Sequence, residues 1–276
     1  MKAQVLSICV PNLGCSKNCP YCVSKMTGHT EYASGGEILA NLPKIKALAE
    51  KTGITTVLIT GKGDPFYNDN TIEWVKIFIK EFQNYIVEIQ SNGLDLEKYG
   101  IKLLGDLRGR GLNTIAFSID HPNQFQKYSE IFTQARSFGL IVRTTINLIN
   151  TFKNTSFQDF IRLCLENHVH QLTFRNISIP LVPVKTEESL KTKKWILENV
   201  DQGIYPKLIN EFLTGNYPLL RTLMNGAKVY DVNGISFTHF DYCIQDNNNS
   251  EDIRSLIFDE DGHCYDNWGS RASIIF

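Results

Sequence analysis

Cysteines 15, 19 and 22 stand close together in Gly14-Cys15-Ser16-Lys17-Asn18-Cys19-Pro20-Tyr21-Cys22. Thiolates at Cys-x3-Cys-x2-Cys spacing suit one metal centre, and the odd total of seven cysteines argues against a disulfide framework. A structural zinc normally takes four protein ligands as two close pairs; no second pair follows here, although His29 would complete a Cys3His set. A cubane iron–sulfur cluster on three thiolates instead leaves one iron with an open position, which takes a ligand and can do chemistry. These residues alone leave three readings: a zinc-stabilised binding protein, an electron-transfer protein and an enzyme with an open iron. Cys9 and Cys164 stand in apolar stretches and read as small core residues.

The elements around the cluster decide what it faces. Short β-branched apolar runs occupy Ala3 to Val10, Ile54 to Thr60, Ile86 to Gln90, Thr114 to Ile119, Ile141 to Leu148 and Gln171 to Ile177. Between them, helical periodicity predicts helices over 36–51, 71–83, 95–109, 123–138 and 155–168, with Pro43 kinking or delaying the first. Each βα unit repeats after roughly 30 residues, as a right-handed parallel crossover requires. Six units do not fill an eight-stranded barrel, so the expected fold is an α/β, parallel (βα)6 partial TIM barrel, with a doubly wound flat sheet as the alternative. The cysteines follow the first strand, at the carboxyl end where such folds carry their sites.

The core is expected over 1–180 and a small C-terminal α+β extension over 181–276. Helices are predicted over Glu187 to Val200 and Pro206 to Leu213. Hairpins follow around Asn233-Gly234 and Asp261-Gly262, with strands Lys228 to Asp231, Ile235 to Phe240, Arg254 to Asp259 and Cys264 to Trp268. These hairpins are expected to cover the barrel mouth, and 246–250 is a solvated loop.

Composition narrows the partners. The 276 residues are 42% hydrophobic, enough for a large packed core, and the net charge of -1 with no polybasic block beyond Lys191 to Lys194 makes nucleic acid an unexpected partner. No apolar signal core or membrane-length run is present, and seven cysteines without a framework point to a reducing cytoplasm. A small-molecule or peptide substrate is the default.

The Cys15-x3-Cys19-x2-Cys22 spacing on the first βα loop resembles the radical S-adenosylmethionine (SAM) superfamily. The resemblance implies one [4Fe-4S] cluster ligated by Cys15, Cys19 and Cys22, with SAM chelating the open iron. It also implies an external electron donor such as flavodoxin or ferredoxin. Tyr21 fits the residue that packs beside adenine in that family. After the second strand, Gly61-Lys62-Gly63-Asp64-Pro65 stands where the family has a Gly-Gly-Glu-Pro type loop for the SAM amino group. Here Lys62 is inserted and Asp64 replaces Glu. Lys62 is either solvated or directed at an anionic substrate or the SAM carboxylate. The third strand ends Gln90-Ser91-Asn92-Gly93, similar to the family's ribose-binding turn.

Later strand ends add polar pairs. Alternation puts Ser118 and Asp120 on one face of the fourth strand, Ser118 for SAM and Asp120 for substrate. On the fifth, Arg143, Thr145 and Asn147 share a face, and Arg143 suits the SAM carboxylate because its planar fork matches a carboxylate. On the sixth, Arg175 suits an anionic substrate, and by resemblance the backbone near Ile177 abuts adenine.

The segment Asp252 to Cys264 resembles the C-terminal hairpin of the molybdopterin-type GTP cyclase branch. The positions of that branch's auxiliary-cluster cysteines fall here on Ser250, Ile253 and Asn267, so no auxiliary cluster and no such cyclase activity is expected. Arg254, Asp266 and Trp268 are candidate substrate contacts, and His239 and His263 candidate acids or bases; no catalytic acid or base is assigned. The expected function is a radical SAM enzyme that cleaves SAM reductively to a 5'-deoxyadenosyl radical and abstracts hydrogen from a small anionic or nucleotide-like metabolite. Peptide or tRNA modification is the alternative within the family.

Overall fold

The computed structural model describes residues 2–12, 14–27, 35–180, 183–223, 226–241, 253–268 and 270–276. His29, Cys243 and the loop 246–250 lie outside the described residues. In chain order the elements are β1 (Ala3–Cys9), α1 (Gly35–Thr52), β2 (Thr56–Thr60), α2 (Asp69–Glu81), β3 (Ile86–Ser91), α3 (Leu96–Tyr99), α4 (Ile101–Arg110), β4 (Leu112–Ile119), α5 (Asn123–Lys127), α6 (Ser129–Ser137), β5 (Ile141–Leu148), α7 (Phe157–Glu166) and β6 (Gln171–Asn176). Then come α8 (Glu187–Asn199), α9 (Ile204–Leu213), β7 (Leu219–Thr222), β8 (Lys228–Val232), β9 (Ile235–Phe240), β10 (Ile253–Phe258) and β11 (Cys264–Tyr265). The fold is a mostly parallel α/β sheet with helices that does not close, in keeping with the (βα)6 partial barrel.

Two compact units divide the chain, and both mix residues from before and after 180: Met1–Asn18, Thr27–Ile115 and Asp246–Phe276 form one, Cys19–Met26 and Ala116–Gln245 the other. In the first the strand order is β11-β10-β1-β2-β3, with β10 parallel to β1, β1 to β2 and β2 to β3. Apolar residues at Leu6, Ile8, Val57, Ile59, Val87 and Ile89, in register on one face of these strands, are fully buried. The buried hydroxyl of Ser7 is satisfied by Ser255 at 2.9 Å.

Helix signals explain most boundaries. Asn68 caps α2 by accepting the Thr71 amide at 3.0 Å. Helix α1 contains Pro43 within its span, so the proline does not delay its start. The single helix expected over 95–109 breaks into α3 and α4 at Gly100, whose φ of 65° is a left-handed value that glycine accepts readily.

In the second unit the order is β5-β6-β9-β8-β7, with β5, β6 and β9 parallel and β9, β8 and β7 successively antiparallel. Ser156 and Asp159 form a reciprocal capping box on α7. Phe157, Phe160, Phe174, Phe212 and Phe237 fill the space between this sheet and helices α7 and α9, with ring centroids 4.8 Å apart for Phe160–Phe174 and 5.1 Å for Phe174–Phe237. The C-terminal hairpin strands were expected over the barrel mouth. Instead β9 runs parallel beside β6 and β10 runs parallel beside β1, where each pairs backbone groups that an edge would leave open.

Candidate cofactor site

In the first unit, β1 ends and the chain turns through Asn12 and Gly14 into Cys15. That turn is bolted to the glycine loop after β2. Gly63 N–H donates to the Asn12 carbonyl at 2.9 Å and Asp64 N–H to the Gly14 carbonyl at 2.9 Å. The Asn12 carboxamide donates to Gly14 O at 2.9 Å and Asp64 O at 3.1 Å. A Cβ on Gly63 would lie 2.3 Å from Gly14 O and 2.6 Å from Asn12 O, so this glycine serves close approach of the cysteine loop itself.

Asp64 turns inward. Its carboxylate accepts the amides of Phe66 at 2.9 Å and Asn92 at 2.8 Å, the Ser91 hydroxyl at 3.0 Å and the Asn92 carboxamide at 2.7 Å. Burial pushes its pKa up against the downward pull of those donors. Ser91 and Asn92, expected at ribose, are therefore tied to Asp64, and Asn92 also donates to the Cys15 sulfur at 3.3 Å. Gln90 is half-buried and reaches Glu88 at 3.5 Å. Buried Asp95 accepts the Ser16 amide at 3.3 Å and the Ser16 hydroxyl, and pairs with Lys98 at 2.6 Å.

Lys62 is neither solvated nor directed outward. Its ammonium sits 3.6 Å from Glu260, just after β10, and its backbone N–H donates to the same carboxylate at 3.2 Å. Burial pushes the Glu260 carboxyl up to about 7 although Lys62 pulls it down. Burial also raises the Cys9 thiol, with Asp259 and Glu260 adding to it, as a core thiol would behave.

In the second unit, Cys22 N–H donates to the Cys19 carbonyl at 3.2 Å, and the Cys22 sulfur lies 2.9 Å from the Ser24 hydroxyl. Tyr21 points the other way, into a cluster with Met26, Ile149, Ile177, Ile196 and Val200, and its ring lies 5.6 Å from that of Trp195. Its hydroxyl donates to Asp120 at 2.7 Å. Burial first, then Cys19 and Asp120, hold this phenol protonated far above its ordinary range. Asp120, expected to serve substrate, is thus engaged by Tyr21, while Ser118 is half-buried near the carboxyl end of β4.

Register separates the arginines. Arg143 pairs with Gln171 at the amino-terminal ends of β5 and β6, and its Nε donates to the Gln171 side chain at 2.8 Å. Asn147 and Arg175 pair four residues further on, about 13 Å along the strands and at their carboxyl ends. Arg143, expected at the SAM carboxylate, thus stands near the amino-terminal end of β5 with its guanidinium on Gln171. Arg254 likewise stands at the amino-terminal end of β10, one residue after the Ala3↔Ile253 pair, and not among the loops that carry Cys15. The sequence shows which residues share a face but not which end of a strand the register leaves them at.

The candidates His239, His263 and Trp268 each have partners within the protein. His239 lies on the helix-facing side of β9 at 2.7 Å from the Tyr205 hydroxyl, exposed His263 bonds Asp261, and Trp268 packs on Cys9, Ile257 and Tyr265. None of the six described cysteines is in a disulfide; Cys164 and Cys264 are buried, and burial pushes both up to about 12. Cys15, Cys19 and Cys22 are partly exposed, and three soft thiols outside any disulfide are the donor chemistry that an iron–sulfur cluster takes. Among the described residues no three His, Cys, Asp or Glu side chains already stand gathered as a metal-holding group.

The sequence model of the Radical SAM superfamily matches residues 9–196. This chain belongs to the radical SAM superfamily. It is accordingly a radical SAM enzyme, with a [4Fe-4S] cluster and SAM as cofactors. It is 35% identical over 78 residues to a probable dual-specificity RNA methyltransferase, RlmN, of Clostridium acetobutylicum, a match covering 27% of this chain and 22% of that protein. It is 39% identical over 75 residues to the FeMo cofactor biosynthesis protein NifB of Methanocaldococcus jannaschii, covering 27% of this chain and 25% of the relative. The chain thus spans only about a quarter of the length of these relatives. SuiB of Streptococcus suis has a similar fold, with a TM-score of 0.57 at 14% identity over 96% of this chain and 60% of that one.

Several parts of this radical SAM chain escape sequence reasoning. Asp95 holds Ser16, and Glu260 holds Lys62. Both partnerships join residues far apart in the chain, and only their polar types hint at them. No helix among the described residues is long and apolar enough to cross a membrane.

Proposed function

We propose that Cys15, Cys19 and Cys22 ligate the cluster and that the enzyme abstracts hydrogen from a small anionic metabolite anchored by Arg175. A [4Fe-4S] cluster held there would supply the electron for reductive cleavage of SAM. The chain's own residues bind, orient and seclude. Asn12, Gly63 and Asp64 hold the Cys15 loop, while Tyr21 and Ile177 give the segment between Cys19 and Cys22 an apolar footing. Ser118 and Asn147 offer uncharged polar contacts.

The observation that carries the substrate class is Arg175. It is half-buried at the carboxyl end of β6 beside Asn147, and among the described residues no carboxylate neutralises it. A sheltered, unpaired guanidinium is costly unless an anion completes it. Similarity to RlmN supports a second reading, in which the anion is an RNA phosphate.

The deciding experiment is anaerobic reconstitution with iron and sulfide, then SAM and dithionite, with chromatographic detection of 5'-deoxyadenosine. The parent forms it and Cys19→Ala does not. A colourless, zinc-containing protein that forms none would overturn the reading. Total RNA and a panel of small carboxylates and phosphates, added in parallel, separate the substrate classes by which of them stimulates 5'-deoxyadenosine formation.

A further inference from the structure

We propose that Asn92 positions Cys15 and tunes its cluster: the carboxamide, held in place by Asp64, donates a hydrogen bond to the Cys15 sulfur and raises the reduction potential of the bound cluster. This rests on the reading of Cys15 as a cluster ligand.

The orientation of the amide follows from its surroundings. Its oxygen accepts the Leu94 amide at 2.8 Å, so the nitrogen must occupy the other side. One N–H of that nitrogen meets Asp64 at 2.7 Å and the other meets the Cys15 sulfur at 3.3 Å. A flipped amide would set oxygen against a carboxylate and nitrogen against an N–H. Asn92 and Asp64 are both buried, so water does not compete for these groups.

Asp64 is in turn held by the amides of Phe66 and Asn92 and by the Ser91 hydroxyl. The carboxylate at the place of the family's glutamate therefore spends its acceptors inside the protein. A glutamate's extra methylene would drive the carboxylate out of this ring of donors. In this chain the departure to Asp64 builds a chain of contacts from β2 through β3 to a ligand sulfur.

An N–H directed at a ligand sulfur stabilises the reduced cluster more than the oxidised one, because reduction adds negative charge to the sulfurs. Removing it lowers the potential and makes the cluster harder to reduce. The test is an EPR-monitored redox titration of the reconstituted full chain, parent against Asn92→Leu, with Asn92→Ala as a second variant that cannot overpack the site.

The expected result is a midpoint potential shifted to more negative values in the variants. A pulsed-EPR coupling to an exchangeable proton, present in the parent and removed by deuterium oxide, should be missing from both. Loaded variants with the parent's potential and coupling would overturn the proposal while leaving the cluster reading intact. Folded variants that both fail to load iron overturn it in favour of a purely structural Asn92. A parent that takes up no iron overturns the cluster reading and this proposal with it.

Discussion

At the scale of single residues, position along a strand separates side chains that alternation groups together. Arg143 and Asn147 share a face of β5, but the register leaves only Asn147 beside Arg175 at the carboxyl ends. Arg175→Gln is expected to raise KM for an anionic substrate by about 10- to 150-fold, the equivalent of a lost charge-assisted hydrogen bond of roughly 1.5–3 kcal/mol. Arg143→Gln should leave KM near that of the parent, since its guanidinium serves Gln171. Steady-state 5'-deoxyadenosine formation across substrate concentrations checks both. Equal effects of the two substitutions would remove the distinction between the two ends of the strands.

At the scale of elements, the loops are fixed by backbone contact and the helices by aromatic packing. Gly63→Ala forces a methyl group into the carbonyls of Asn12 and Gly14, which are backbone atoms and cannot swing away. The expected cost is about 1–3 kcal/mol, typical of overpacking, read from urea unfolding, together with weaker iron retention. Phe174→Ala should cost more, about 3–5 kcal/mol, because a fully buried ring among four other phenylalanines leaves a cavity. It should do so without altering the iron content of the folded fraction, since the ring faces the helices and not the strand ends. The cysteine loop and the glycine loop were legible as motifs from residue types and spacing. Their bonding to one another was not, because it depends on carbonyls that any sequence possesses.

At the scale of the whole molecule, the last strands belong to the main sheet. Strand β10 satisfies β1 along its length, and Glu260, just beyond it, holds the Lys62 backbone and ammonium. Deleting residues 253–276 should therefore bare an apolar edge beside β1, and the truncated chain should sediment as aggregate where the parent stays dispersed. Glu260 also couples stability to pH. Its folded pKa of about 7 lies above the ordinary 4.5, so the folded state holds the proton more tightly, and stability falls as pH rises from about 4.5 to about 7. Glu260→Gln should flatten that decline in thermal melts taken across the window. A decline as steep as the parent's would assign the pH dependence to another group.

The sequence by itself determined the class of chemistry and the alternation that supports it. Ligand spacing is local, and the hydrophobic period of each βα unit is written within some 30 residues. Tertiary structure alone decided which polar groups are used up internally and which stay open. Asp64, Lys62 and Asp120 looked like ligand contacts by position, yet each meets a partner contributed by a distant segment: Asn92, Glu260 and Tyr21. Arg175 stands apart from them because the register of β5 and β6 brings it Asn147 and, among the described residues, no carboxylate. A buried charge must find its complement somewhere, and whether the chain or a ligand provides it depends on contacts that no local pattern encodes.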